Sequence, residues 1–235
     1  MTEHTNKQFD AEMEGIRSGV LSMGGVVEQQ LTRAIAALEK EDDAGLLDAV
    51  GADEAAINRL QVAIDQQCAQ IIARRQPTAV DLRMILTVSK IVNDLERIGD
   101  EVKKIARKAA ETWGNTRLAQ VRIYDAAKAL GTTMTMLRLA LDAFARLDVV
   151  AAADVIDRDA AVDAAFASIL RQLVSYMMED PRTITPAIEI VFIAKSIERI
   201  GDHAKNIAEA VVQVVKGKDV RHATVDEIRA EIAQP

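Results

Sequence analysis

The sequence predicts an all-α protein built as two tandem, pseudo-symmetric three-helix bundles. Two observations carry that prediction. Apolar residues recur at intervals of three and four along most of the chain, with only four prolines and 3% aromatics to interrupt them. That spacing is the mark of amphipathic helices. The second observation is a repeat: Leu95-Glu96-Arg97-Ile98-Gly99-Asp100 returns as Ile197-Glu198-Arg199-Ile200-Gly201-Asp202, an offset of 102 from Glu96 to Glu198. Over the twelve positions from 95 to 106, Glu96, Arg97, Ile98, Gly99, Asp100, Lys103, Ile105 and Ala106 are identical to their partners, which is eight matches. Such in-register similarity reads as an internal duplication.

The elements follow in order. The first helix spans about Phe9 to Lys40, with Met13, Ile16, Val20, Met23, Val27, Leu31 and Leu38 on one face. Gly15, Gly19, Gly24 and Gly25 each cost that helix up to ~1 kcal/mol of propensity. Close approach of a neighbouring helix is what would use them. Glu41-Asp42-Asp43, with Ala44 and Gly45, suits a turn. The second helix runs from about Leu46 to Arg75 on Val50, Ile57, Leu60, Ile64 and Ile71, with Glu54, Asn58 and Asp65 at one edge of that face. Pro77 stops it, and Thr78 or Asp81 can cap the third helix, which runs from about Ala79 to Trp113. Its apolar stripe is Leu82, Ile85, Leu86, Ile91, Leu95, Ile98, Val102 and Ile105.

Gly114 and Asn115 break the pattern, and it restarts. The fourth helix spans about Arg117 to Leu147, packing through Ile123, Leu130, Met134, Leu137, Leu141 and Phe144. The fifth spans about Val149 to Met178 through Val155, Val162, Phe166, Ile169 and Leu173. Pro181 and Pro186 bracket the next turn. The sixth runs from about Ile184 to Lys216 and stops at Gly217. Helices of about 30 residues are ~45 Å long, and short connections make neighbours antiparallel. The expected division is 1–113 for the first repeat, 116–217 for the second, and 218–235 as a charged tail holding one short helix.

The chemistry lies in paired acids. Glu96 and Asp100, like Glu198 and Asp202, stand four apart on one helical face, where like charges repel by a few tenths of a kcal/mol. They lie at the edge of the apolar stripe rather than opposite it. Gly99 and Gly201 lie further inward, where a missing side chain admits a facing helix. One helix earlier come Asp159 and Asp163 beside Val162, and their counterparts Glu54 and Asn58 beside Ile57, an offset of 105 from Glu54 to Asp159. Each half thus brings two pairs to the groove between antiparallel helices. An all-oxygen donor set suits hard cations such as Mg, Ca or Mn, with iron or zinc within range. A polar seam satisfied by Arg97 and Arg199, or by Lys103 and Lys205, accounts for the same residues without a metal. Asn58 is neutral, and Arg107 stands where the second half has Glu209, so the second groove is the more acidic.

Composition excludes other classes. The formal net charge is −7, and no basic stripe points to nucleic acid. Cys68 is the only cysteine, so there is neither a disulfide framework nor a thiolate zinc site. No apolar run approaches the ~18 residues of a membrane span. The polar start, Met1 to Asp10, is unlike a signal peptide, so a cytoplasmic protein is expected. No nucleophile set or phosphate-cradling glycine loop stands out, and a non-enzymatic role is expected. A ferritin-like oxidase would need Glu-x-x-His on two helices. None of His4, His203 and His222 has a Glu three residues before it. A coiled-coil adaptor would need a strict seven-residue repeat, which the three-helix repeat does not supply.

These residues resemble the PhoU family. The doubled Glu-Arg-Ile-Gly-Asp, the extended Arg199-Ile-Gly-Asp-His203-Ala-Lys-Asn206-Ile-Ala-Glu209, the earlier acidic pairs and the tail with Val220-Arg-His222 and Asp226-Glu-Ile carry the likeness across nearly the whole chain. The resemblance implies two three-helix bundles with pseudo-twofold symmetry. It implies a cytoplasmic negative regulator of phosphate uptake and the phosphate-starvation response. Its partners would be the ATPase of the phosphate-specific ABC transporter and a sensor histidine kinase, with the protein itself a homodimer. It also implies bound metal ions, iron or zinc clusters in some members. Residue by residue, the implied ligands are Glu54, Asn58, Glu96, Asp100, Asp159, Asp163, Glu198 and Asp202. The departures from the doubled pattern are Asn58, Glu101 in place of His203, and Arg107. A purely structural helical-bundle adaptor without metal is the alternative.

Overall fold

The computed structural model describes residues 7–39, 44–112, 117–221 and 223–233. Among them, α1 is Lys7–Glu39, α2 Ala44–Arg75, α3 Ala79–Thr112, α4 Arg117–Arg146, α5 Val149–Glu179, α6 Ile184–Lys216 and α7 Val225–Ala233. A single 3-10 turn, Pro181–Thr183, precedes α6. The side chain of Ile123, the Glu41-Asp42-Asp43 cluster, Trp113, Gly114, Asn115 and His222 lie outside the described residues.

Helices α1, α2 and α3 pack on one another, as do α4, α5 and α6. The two bundles meet where α3 lies along α6 and α1 along α4. One apolar core runs through both, from Ile16, Met23 and Leu31 of α1 to Leu137 and Phe144 of α4. Each fully buried Leu or Ile contributes roughly 1.5–3 kcal/mol. A smaller cluster of Ile169, Leu173, Ala187, Ile190 and Ala194 closes the far end of α5 and α6.

The glycines of α1 divide by what faces them. A Cβ on Gly24 would come within 2.5 Å of Leu141 in α4, and one on Gly19 within 3.1 Å of Ile64 in α2. Gly15 and Gly25 face open space, so close packing explains two of the four.

Helix ends follow local chemistry. Asp148 Oδ1 accepts from the amides of Val150 and Ala151 at 3.0 Å each, starting α5. Gly217, at φ 76°, takes the left-handed cap that ends α6. In α7, Glu227 accepts from the Thr224 amide at 2.7 Å while Thr224 Oγ1 accepts from the Glu227 amide at 3.3 Å. That reciprocal capping box fixes the short tail helix, whose Ile228 is buried.

Two expectations need correction. Leu86 is 51% exposed, because Ile85 and Val88 already fill the inward face at that turn. Pro186 does not bracket a turn; it sits in the first turn of α6, where its missing N–H costs nothing.

The bundles are joined by polar contacts along α3 and α6. Arg199 Nη1 donates to Glu101 Oε1 at 3.2 Å. His203 Nδ1 and Asn206 Nδ2 lie 2.8 and 3.2 Å from Asp94 Oδ1, and Lys108 Nζ pairs with Glu189 at 2.5 Å. Under the repeat's offset, Glu101 corresponds to His203 and Ser196 to Asp94. Ser196 also lies against Glu101. The Glu101–Ser196 and His203–Asp94 contacts are therefore the same contact on either side of a pseudo-twofold axis.

Candidate functional site

Close approach of two helices creates each acidic groove. A Cβ on Gly99 would stand 3.0 Å from Ile57 Cδ1, and one on Gly201 3.2 Å from Val162 Cγ1. Ile57 is flanked by Glu54 and Asn58, and Val162 by Asp159 and Asp163. Pulling the glycine face of α3 onto α2, and of α6 onto α5, brings those flanking groups beside Glu96 and Asp100, or Glu198 and Asp202.

Electrostatics show which acids share space. Burial raises the Glu96 carboxyl above its usual range, and Asp100 and Glu54 add to the rise against Arg97. In the second half, burial raises Asp163, with Asp159 and Glu198 contributing. Asp202 is raised by burial, then by Glu198, Asp159 and Asp163. Asp159 and Glu198 thus act on both Asp163 and Asp202, and Asp163 acts on Asp202. In the first groove Asn58 contributes no charge, and its side chain is exposed.

Lysines satisfy several of these acids. Lys103 Nζ lies 2.5 Å from Glu54 Oε2, and Lys205 Nζ 2.9 Å from Asp159 Oδ2. Lys195 Nζ is 2.5 Å from Glu198. Arg97 makes only a long contact with Glu96, at 3.7 Å, and Arg199 turns away to Glu101. Asp159 is only 5% exposed, and its Oδ1 has no hydrogen-bond partner. As the side chains lie, no group of three or more His, Cys, Asp or Glu among the described residues is arranged to hold a metal ion. Asp159, Asp163, Glu198 and Asp202 are oxygen donors of the kind that hard cations prefer, but lysines already pair with Asp159 and Glu198.

Glu101 belongs to a different place than the repeat alone suggests. It is buried in the α3–α6 seam, not in the groove. Burial pushes its carboxyl up, but Lys104, Ser196 and Arg199 outweigh that and hold it below the usual range. Glu209 is buried too, and burial raises its carboxyl despite Lys205 and Arg221 nearby. Glu101 and His203 lie on either side of the pseudo-twofold axis, facing Ser196 and Asp94 respectively.

A model of the PhoU domain matches residues 20–109 and again 127–211. The chain belongs to the PhoU family. Each PhoU match contains one groove whole, with Glu54, Asn58, Glu96 and Asp100 in the first and Asp159, Asp163, Glu198 and Asp202 in the second. The phosphate-specific transport system accessory protein PhoU homolog of Pseudomonas putida is 45% identical over 233 residues, 99% of this chain and 90% of that protein. The PhoU accessory protein of Escherichia coli K12 is 44% identical over 229 residues, covering 97% and 93%. The crystal structure of PhoU from Pseudomonas aeruginosa superposes with TM-score 0.83 at 45% identity, covering 89% of this chain and 100% of that one. The phosphate transport regulatory protein PhoU of Streptococcus pneumoniae gives 0.82 at 25% identity, covering 90% and 99%.

Proposed function

We propose that this protein is a non-enzymatic regulator of phosphate homeostasis. It restrains phosphate uptake and the starvation response by linking the ATPase of the phosphate ABC transporter to its sensor histidine kinase. The observation that carries the reading is identity of 44–45% over nearly the whole chain to accessory proteins of the phosphate-specific transport system. The side-chain chemistry is in keeping with a scaffold. Burial and the nearby Asp65 push the Cys68 thiol up to about 11, so it is no nucleophile at neutral pH. No helix among the described residues is long and apolar enough to cross a membrane. In this reading the protein works in the cytoplasm as a homodimer.

The same proposal assigns a cation, divalent or iron or zinc, to Asp159, Asp163, Glu198 and Asp202, and a weaker site to Glu54, Asn58, Glu96 and Asp100. A bound cation supplies positive charge that offsets carboxylate repulsion between α5 and α6. The chain's own part is to hold those acids at one edge through the Gly201–Val162 contact. The metal-free adaptor remains a second reading, favoured by the lysine pairs on Glu54, Asp159 and Glu198.

Deleting the gene tests the regulatory reading. In a host with this transport system, phosphate-starvation genes should rise severalfold in phosphate-rich medium, and the intact gene should restore repression. Unchanged reporter output refutes it.

A further inference from the structure

We propose that the far end of the α5–α6 hairpin is the face through which two copies of this chain associate. The inference rests on the homodimer of the reading above and adds where the copies meet. Every fourth residue from Phe166 to Met178 on α5, and from Ile184 to Phe192 on α6, is apolar, so each helix shows one stripe. Lys195 Nζ lies 5.5 Å from the centre of the Phe166 ring. That contact fixes the antiparallel register, which sets Leu170 beside Val191 and Met178 beside Ile184. The two stripes make one face, backed by the buried cluster of Ile169, Leu173 and Ile190.

The fold does not require this face to be apolar. Under the repeat's offsets, Leu170 and Val191 correspond to Asp65 and Ser89, and there Ser89 Oγ donates to Asp65 Oδ1 at 2.8 Å. Val174 and Met178 correspond to Ala69 and Ala73, and Phe192 to Lys90. The same backbone thus carries small and polar side chains in one half and large apolar ones in the other.

Size and charge both point to a second copy. Leu170, Val174, Met178, Ile184, Ile188 and Phe192 are all exposed, Met178 by 80%. Together they leave roughly 600 Å2 of apolar surface open, at the upper end for a monomer. Two copies face to face would bury about 1,200 Å2, where stable, specific interfaces begin. With a net charge of −7, two copies repel one another over most of their surface. An uncharged face is where they meet without that cost. A twofold pair needs one self-complementary patch, and ridges of residues four apart on one hairpin fit the grooves of the other.

Sedimentation velocity of the full chain over a range of concentrations tests this. Val174→Glu and Ile188→Glu place a charge at exposed positions, so both should stay helical by circular dichroism. Each should weaken the dimer by roughly thirtyfold or more, as loss of an interface anchor does. Leu86→Glu, at the exposed counterpart of Ile188 in the first bundle, should leave the dimer intact. If both hairpin variants form dimers as tight as the parent's, or if Leu86→Glu dissociates them equally, this face is not the interface, although the homodimer stands. If the parent is a monomer at every concentration, the homodimer falls and this inference with it. A monomeric parent that binds the purified transporter ATPase or kinase, and loses it in Ile188→Glu, would give the face to that partner instead and overturn the inference.

Discussion

Gly201 and Val162 meet so closely that a methyl group on the glycine would stand 3.2 Å from Val162 Cγ1. In the other half, Gly99 faces Ile57 Cδ1 at 3.0 Å and Gln30 Oε1 at 3.3 Å. These two contacts set the spacing of the acidic grooves. Replacing a helical glycine by alanine gains up to ~1 kcal/mol of propensity, but overpacking a tight contact costs about 1–3 kcal/mol. Gly99→Ala should therefore lower stability by about 1–2 kcal/mol, and Gly201→Ala by less. Gly25→Ala and Gly131→Ala, where nothing lies within 4 Å, should gain about 0.5–1 kcal/mol. Urea unfolding of the four variants checks this. Stabilisation by all four would mean the helices do not touch at the grooves.

Glu101 is expected to matter more than its exposed partners. Its side chain is 8% exposed, against 54% for Arg199 and 49% for Lys104. Solvent screens the arginine's share, so Arg199→Ala should cost under about 1 kcal/mol. Glu101→Gln removes a buried charge held by several neighbours and should cost about 1–3 kcal/mol. Chemical denaturation ranks the two, and the reverse order would contradict the seam.

The pH dependence has two opposing parts. Glu96, Asp163, Asp202 and Glu209 are raised in the fold, so the folded state holds their protons more tightly than the unfolded chain. Stability from these groups grows as pH falls through the window just above the ordinary carboxylate range. Glu12, Glu101, Asp180 and Glu227 are lowered. Their contribution is present above the unfolded value and is lost as pH falls below it. In chelator, the melting temperature should rise from neutral pH toward about 5 and then drop in stronger acid. A steady decline beginning at pH 7 would show that the raised acids do not control the fold.

Much of this was legible because duplication and periodicity are properties of single helices. The boundaries of α2, α3, α5 and α6 lie within about three residues of those read from apolar spacing. Seven apolar positions in α1 were expected inward, and all but Met13 are fully buried. What stayed illegible depends on which helices meet. Spacing within α3 does not say that α6 covers it, so the burial of Glu101 and the Asp94–His203 contact had no local signature. Nor does Gln30, fully buried in α1 with its Nε2 donating to the Val50 carbonyl at 3.2 Å, announce itself in an apolar stripe. The edge position of the acids was readable; the choice of Lys103 and Lys205 over Arg97 and Arg199 as their partners was not, since both lay within reach on paper.

The account turns on whether the second groove binds a cation, and one melting comparison tests it. The parent and the double variant Glu198→Gln, Asp202→Asn are heated with chelator and with excess Mn2+. A ligand at 100 times its Kd stabilises the fold by about 2.7 kcal/mol, a shift of several degrees for a chain of this size. The parent should melt several degrees higher with Mn2+ than with chelator. The variant, relieved of repulsion, should melt in chelator at or above the parent and lose most of the Mn2+ response. A parent whose melting ignores both Mn2+ and chelator, with a variant that melts no lower, would show that these acids are satisfied by lysine and water alone.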